Sequence, residues 1–88
     1  MRLPMIRSIQ EMAEQKGALH LEHTAEVLEH LSQTRGIKDE ELEVIGEILS
    51  NVLGALEVSH AVQNGIPKND ALNSFMKRVM GSIDQPQT

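Results

Sequence analysis

The sequence predicts an all-α protein: a small four-helix, bundle-like domain with one long central helix and an extended N-terminal arm. Apolar residues recur at helical spacing, and glycines and prolines separate four such segments. The composition is 40% hydrophobic with one aromatic residue, as helix-on-helix packing allows. At 88 residues the chain forms a single domain, residues 1–88, and buries only roughly 60 to 65% of its unfolded surface. Stability is marginal at this size, so we expect oligomerisation.

The first segment, residues 1–7, is predicted to be the extended arm because it contains Pro4. Ser8 and the glutamate three positions later form the S-x-x-E pattern of a capping box. A first helix is therefore expected over residues 9–16, ended by Gly17. The arm is largely apolar, so it must pack on its own chain or on a partner.

Three further helices are predicted from apolar periodicity, each bounded by a glycine, an asparagine–glycine pair or a proline. They span residues 19–34, 39–64 and 67–81. Gly81 is expected to end the last helix, and residues 82–88 form a polar tail.

The long third helix is apolar on two sides. One side carries Leu42, Ile45, Leu49, Val52, Leu53 and Leu56. The other carries Val44, Ile48, Ala55 and Val62. A helix that is apolar nearly all round must be buried nearly all round, and the other helices have one apolar stripe each. We therefore predict that the second side is a self-association surface of a homodimer, or is covered by the arm and first helix.

Two glycines, Gly46 and Gly54, interrupt this long helix. Each costs about 1 kcal/mol relative to alanine. Either a neighbouring helix approaches closely at these positions or glycine is simply tolerated there, and the sequence leaves both explanations open.

A candidate metal site comes from two short motifs. Glu57 and His60 form an E-x-x-H on one helical face, and Glu26 and Glu29 form an E-x-x-E. These four residues resemble the half-sites of the small encapsulated ferritins, which implies iron oxidation at a centre shared between subunits. Helical periodicity, however, directs Glu26 and Glu29 away from the core, as on a solvated face. A glutamate-rich chain also produces such motifs by chance.

The histidines have simpler interpretations. His60 falls on the leucine-rich side of the long helix, where we expect a packed polar group with a partner such as Glu57 or a backbone carbonyl. The second helix carries a cluster of three histidines, His20, His23 and His30. Their spacing could capture Zn²⁺ or Ni²⁺, but such a cluster is more typical of an exposed helix surface. With no cysteine, no G-x-S-x-G and no phosphate loop, we predict no catalytic residue and no cofactor.

The chain is acidic, with a formal net charge of −5 and scattered basic residues. This argues against nucleic-acid binding, including a helix-turn-helix regulator, because phosphate contacts need a basic surface. No apolar run has the length of a membrane span or of a secretory signal, so we expect a cytoplasmic protein. The predicted function is a non-enzymatic structural or interaction module that binds a second copy or another protein.

Two blocks of the sequence resemble a family of small bacterial proteins of unknown function. The blocks are KDEELEVIGE, residues 38–47, and ALNSFMKRVMGSID, residues 71–84. The similarity extends from Leu3 to Asp84. It implies a stand-alone protein and adds neither an activity nor catalytic residues.

Overall fold

The structure, a computed structural model, describes the backbone of residues 2–84 and the side chains of residues 2–79. Within that stretch it contains four helices, which confirms the predicted all-α, bundle-like fold. They are α1 (Leu3–Lys16), α2 (Ala18–Ser32), α3 (Asp39–Gln63) and α4 (Lys68–Asp84). The long helix α3 is central, since α1, α2 and α4 all pack against it.

The predicted extended arm is wrong, because α1 begins at Leu3 and includes Pro4 and Ser8. Arg2 precedes the helix with an extended backbone, φ −128° and ψ 126°. Pro4 lies in the first turn, where an N–H has no intrahelical acceptor and the fixed φ of proline suits the helix. The predicted capping box from Ser8 to Glu11 therefore lies inside α1.

The other helix ends differ from prediction by a few residues. Gly17 alone separates α1 from α2, and its φ of +96° gives the sharp reversal that glycine allows. Gly81 lies inside α4, because one glycine lowers helix stability by only about 1 kcal/mol. Residues 82–84 of the predicted tail thus belong to α4, and residues 85–88 lie outside the described residues.

Contacts at both ends of α1 show that it runs parallel to α3. At one end, the Arg2 backbone N–H donates to Asn51 Oδ1 at 3.0 Å. At the other, Ala13 and Val62 line the same cavity. The chain then reverses at Gly17, so α2 runs antiparallel to α3.

The core lies along the C-terminal half of α3. Its buried apolar side chains come from all four helices: Ile6, Ala13, Leu21, Ala25, Val52, Ala55, Val58, Ala71, Leu72 and Phe75. α4 crosses α3 at Gly54, where an ideal Cβ would lie 2.8 Å from Phe75 Cζ. A close helix approach therefore explains Gly54. Among the described residues, no atom lies within 4 Å of a Cβ added at Gly46, where glycine is simply tolerated.

The chain is flat. Its principal extents are 42 × 42 × 18 Å and its radius of gyration is 14.2 Å. A compact domain of this length has a radius of gyration of about 12 Å. A single copy thus leaves part of its helix surface uncovered.

Candidate functional site

The side of α3 predicted to mediate self-association is exposed in the N-terminal half of the helix and covered in the C-terminal half. Val44, Ile48, Ala55 and Val62 fall within about 40° of one another at 100° per residue, so they form one stripe. Ala55 is fully buried and Val62 is half-buried, whereas Val44 is 57% exposed and Ile48 is 36% exposed. The N-terminal half of the stripe is therefore uncovered in the single chain.

The position of α1 explains this change. α1 begins beside Asn51, which is fully buried and lies on the same stripe. The Asn51 side chain is fixed on both sides, because its Nδ2 also donates to the Glu47 carbonyl at 2.7 Å. α1 thus begins about 18 Å along α3 from Asp39, at 1.5 Å per residue.

α2 forms the other wall of this uncovered region. Leu31 is 43% exposed and lines a cavity of about 330 Å³ together with Ile45. Val27, one turn earlier on α2, is 65% exposed. A neighbouring cavity of about 440 Å³ is lined by Val44 and Ile45. We call this surface the α2–α3 groove: Leu31, Val44 and Ile45 line its two cavities, and Val27 and Ile48 extend it by one helical turn along α2 and α3.

Carboxylates on α3 and one guanidinium, that of Arg35, border the groove. Glu40 and Glu41 line the cavity beside Val44. Glu41 Oε1 accepts the Lys38 backbone N–H at 2.9 Å, which satisfies one of the donors at the start of α3. Residues 39–50 include five carboxylates and no basic residue. The groove therefore has an apolar floor and a border of mixed charge.

The leucine-rich side of α3 is better covered. Val52 is buried, and Ile45, Leu49 and Leu56 are half-buried. Two leucines at the edge of this side remain exposed, Leu42 at 41% and Leu53 at 43%. They stand 11 positions apart, so they are isolated apolar residues rather than a continuous surface.

Besides Asn51, two buried polar side chains were not predicted from the sequence, Gln10 and Ser59. Gln10 is 1% exposed and Ser59 is 7% exposed, and both line a cavity of about 320 Å³ between α1 and α3. Gln10 Oε1 and Ser59 Oγ have no hydrogen-bond partner within the described chain. Gln10 lies one helical turn after buried Ile6. Helical periodicity through residues 3–16 would therefore have predicted that Gln10 is buried.

α3 and α4 also share a small cavity of about 250 Å³ next to Phe75. Arg78 forms an ion pair with Glu57 at its border, and the Arg78 guanidinium carbon lies 5.6 Å from the centre of the Phe75 ring. Both charged side chains are at least half exposed. The pair therefore covers the ring and contributes little to stability.

A family model described as a family of unknown function, DUF6952, matches residues 1–84. The chain belongs to the DUF6952 family. Comparisons with curated proteins and with solved structures found no match. The match confirms the predicted membership of a family of unknown function and assigns no activity.

The four candidate metal ligands do not converge in this DUF6952 chain. Glu26, Glu29, Glu57 and His60 are all exposed, and Glu57 is paired with Arg78. Within the described part of the chain, no three His, Cys, Asp or Glu side chains lie together as a metal site. The expectation that His60 is packed is wrong for the single chain.

The remaining surface features of the DUF6952 chain are ordinary. His20, His23 and His30 are exposed along α2, as predicted for a surface group. Over the described residues, no helix combines the length and apolar character needed to cross a membrane. The α2–α3 groove therefore remains the feature that most needs a functional explanation.

Proposed function

We propose that this protein is a non-enzymatic helical module that self-associates through the α2–α3 groove, with a homodimer as the working unit. The observation that carries the proposal is the continuity of the α3 stripe. Its C-terminal half, including Ala55, is buried under α1, while Val44 and Ile48 continue the same stripe in the open. A side that is apolar along its whole length is expected to be buried along its whole length.

The size of the chain supports the proposal. A domain of 88 residues buries a small fraction of its surface, and oligomerisation is one of the usual ways to add stability. The groove residues lie close together, unlike apolar residues scattered singly over a surface. Covering them with a partner would contribute about 25 cal/mol for each Å² of apolar surface removed from water.

The chemistry of the groove favours binding over catalysis. The side chains lining its two cavities are aliphatic residues and carboxylates with Thr34 and Arg35, and they include no histidine, cysteine or serine. A partner seated there would be recognised by apolar contact and by the charges of Glu40, Glu41 and Arg35. The partner is therefore a protein surface, and a second copy is the simplest one.

Sedimentation equilibrium at micromolar concentration tests this proposal. We expect a dimer for the natural chain and a monomer for Ile48→Glu, because the substitution places a charge in the apolar contact. The matched control is Leu19→Glu, at the opposite end of α2, where the leucine is 60% exposed. This control should remain a dimer.

Circular dichroism of the same samples separates dissociation from unfolding. Ile48 is already 36% exposed in the single chain, so Ile48→Glu should keep its helix content. A monomeric natural chain would refute the proposal. A variant that stays dimeric with unchanged affinity would also refute it.

A further inference from the structure

We propose that the α2–α3 groove of one copy packs against the same groove of a second copy, with the two α3 helices antiparallel and Val44 next to the twofold axis. The inference rests on the proposed self-association, and it names the surface that the partner supplies and the direction of the partner. It follows from the exposed faces of the helices and from the position of α1 on α3.

The surface of a second copy that matches the groove best is the groove itself. Over the described residues, the outward faces of α1 and α4 are mainly polar. Their exposed positions include Ser8, Glu11 and Gln15 on α1 and Asn73 and Lys77 on α4. Such a face cannot cover an apolar floor without burying its own polar groups. A second groove supplies aliphatic side chains instead, and contact between identical patches makes an isologous dimer.

The position of α1 decides the direction of the second copy. α1 packs on the same side of α3 as the groove, but it begins only beside Asn51. Two copies with parallel α3 helices would bring their α1 helices to the same level, where these helices would hold the grooves apart. Antiparallel copies place their α1 helices at opposite ends. Each groove then receives the partner's α3 in the position that α1 takes further along the helix.

The length of the groove places the twofold axis. α3 begins at Asp39 and α1 begins beside Asn51, and the middle of this stretch is Ile45. An antiparallel partner that fills the stretch therefore puts the axis at the level of Ile45. Val44 lies one position from this level and Ile48 lies three. Along the helix, the two copies of Val44 are thus separated by roughly 3 Å and the two copies of Ile48 by roughly 9 Å.

The charges at the ends of the groove are compatible with this arrangement. The first turn of α3 carries three carboxylates, residues 39–41, whereas the first turn of α1 carries none and follows exposed Arg2. The antiparallel partner brings these two helix starts together, and carboxylates near the N–H groups of a helix start are favourable. Arg35 and Lys38 lie at the same end and offset part of the negative charge. Apolar contact therefore remains the main contribution.

Single-cysteine variants test the arrangement, because the natural chain contains no cysteine. With helix axes about 8 to 10 Å apart, the Cα atoms of the two Val44 residues would lie roughly 5 to 6 Å apart, as a disulfide requires. Those of the two Ile48 residues would lie roughly 10 Å apart, beyond the reach of a disulfide. Oxidised Val44→Cys should therefore give a covalent dimer of twice the 9.8 kDa chain mass. Ile48→Cys should give several-fold less.

The matched control is Leu42→Cys. Leu42 is 41% exposed on the same helix, but it points about 160° away from Val44 at 100° per residue. This variant should stay without a cross-link between chains. Leu31→Cys offers a second position near the axis, because Leu31 shares a cavity with Ile45, and it should behave like Val44→Cys.

Sedimentation equilibrium of each variant in a reducing agent shows whether it still dimerises, and it separates this inference from the proposed function. Dimers in which Val44→Cys and Leu31→Cys form no more disulfide than Leu42→Cys would overturn the groove-to-groove contact and leave self-association standing. An equal or higher yield from Ile48→Cys would overturn the antiparallel direction and the position of the axis. A monomeric natural chain would overturn both proposals. Selective cross-linking through Val44→Cys and Leu31→Cys is the result that we expect.

Discussion

Replacing Gly54 with alanine tests the tight contact between α3 and α4. The new Cβ would lie 2.8 Å from Phe75 Cζ, 3.1 Å from Phe75 Cε2 and 3.6 Å from Ile6 Cδ1. Carbon atoms pack best at about 3.5 to 4.0 Å, so the ring must retreat by roughly 0.7 to 1.2 Å. Phe75 is 6% exposed and Ile6 is fully buried, so the ring has little room to move.

Whether Gly54→Ala raises or lowers the free energy of unfolding depends on two opposing contributions. Overfilling a packed site costs about 1 to 3 kcal/mol, while alanine is better than glycine inside a helix by about 1 kcal/mol. Gly54→Ala should therefore destabilise the protein by about 0 to 2 kcal/mol. Gly46→Ala is the matched control, because nothing lies within 4 Å of its added Cβ, and it should stabilise the protein by about 1 kcal/mol.

Urea denaturation followed by far-ultraviolet circular dichroism measures both free energies of unfolding, at one protein concentration. The difference between the two alanine variants, about 1 to 3 kcal/mol, isolates the cost of the close contact. Adding Phe75→Leu to Gly54→Ala should recover part of that cost. Equal stabilisation by both alanine substitutions would refute the packing described for α3 and α4.

Other substitutions test the polar contacts. Ser59→Ala should raise the free energy of unfolding by about 1 kcal/mol, because it removes a buried hydroxyl without a partner; a loss of stability would show that the hydroxyl is bonded. Asn51→Ala should lower it by about 1 to 3 kcal/mol in the same assay, since it breaks the bond to Arg2; an unchanged value would contradict that contact. Mass spectrometry of metals in protein purified without a histidine tag should find no stoichiometric iron. Iron that is lost in both Glu57→Gln and His60→Gln would instead establish a metal site.

The sequence predicted the four helices and their order because apolar periodicity and glycine signals are local. The prediction is wrong at the N-terminus, where Pro4 alone indicates extended chain. The same local sequence around a proline is compatible with the first turn of a helix and with an extended arm. Which conformation forms here depends on what Ile6 packs against. Ile6 is fully buried in the core, so tertiary packing decided the conformation.

The site could be predicted in part. Periodicity alone placed Val44, Ile48, Ala55 and Val62 on one side of the long helix. It could not show which of them α1 covers, because that depends on the contact between Arg2 and Asn51, residues that are 49 positions apart. Periodicity within one helix also could not predict that α2 forms a wall of the groove, because this depends on how α2 packs against α3.

Sedimentation equilibrium of a second groove variant, Val44→Glu, tests self-association through the α2–α3 groove most directly. Val44 is 57% exposed in the single chain, so the substitution should leave the fold intact. We predict that at micromolar concentration the natural chain has twice the 9.8 kDa chain mass and that Val44→Glu has the mass of one chain. A monomeric natural chain, or a Val44→Glu variant that dimerises with unchanged affinity, would contradict the account.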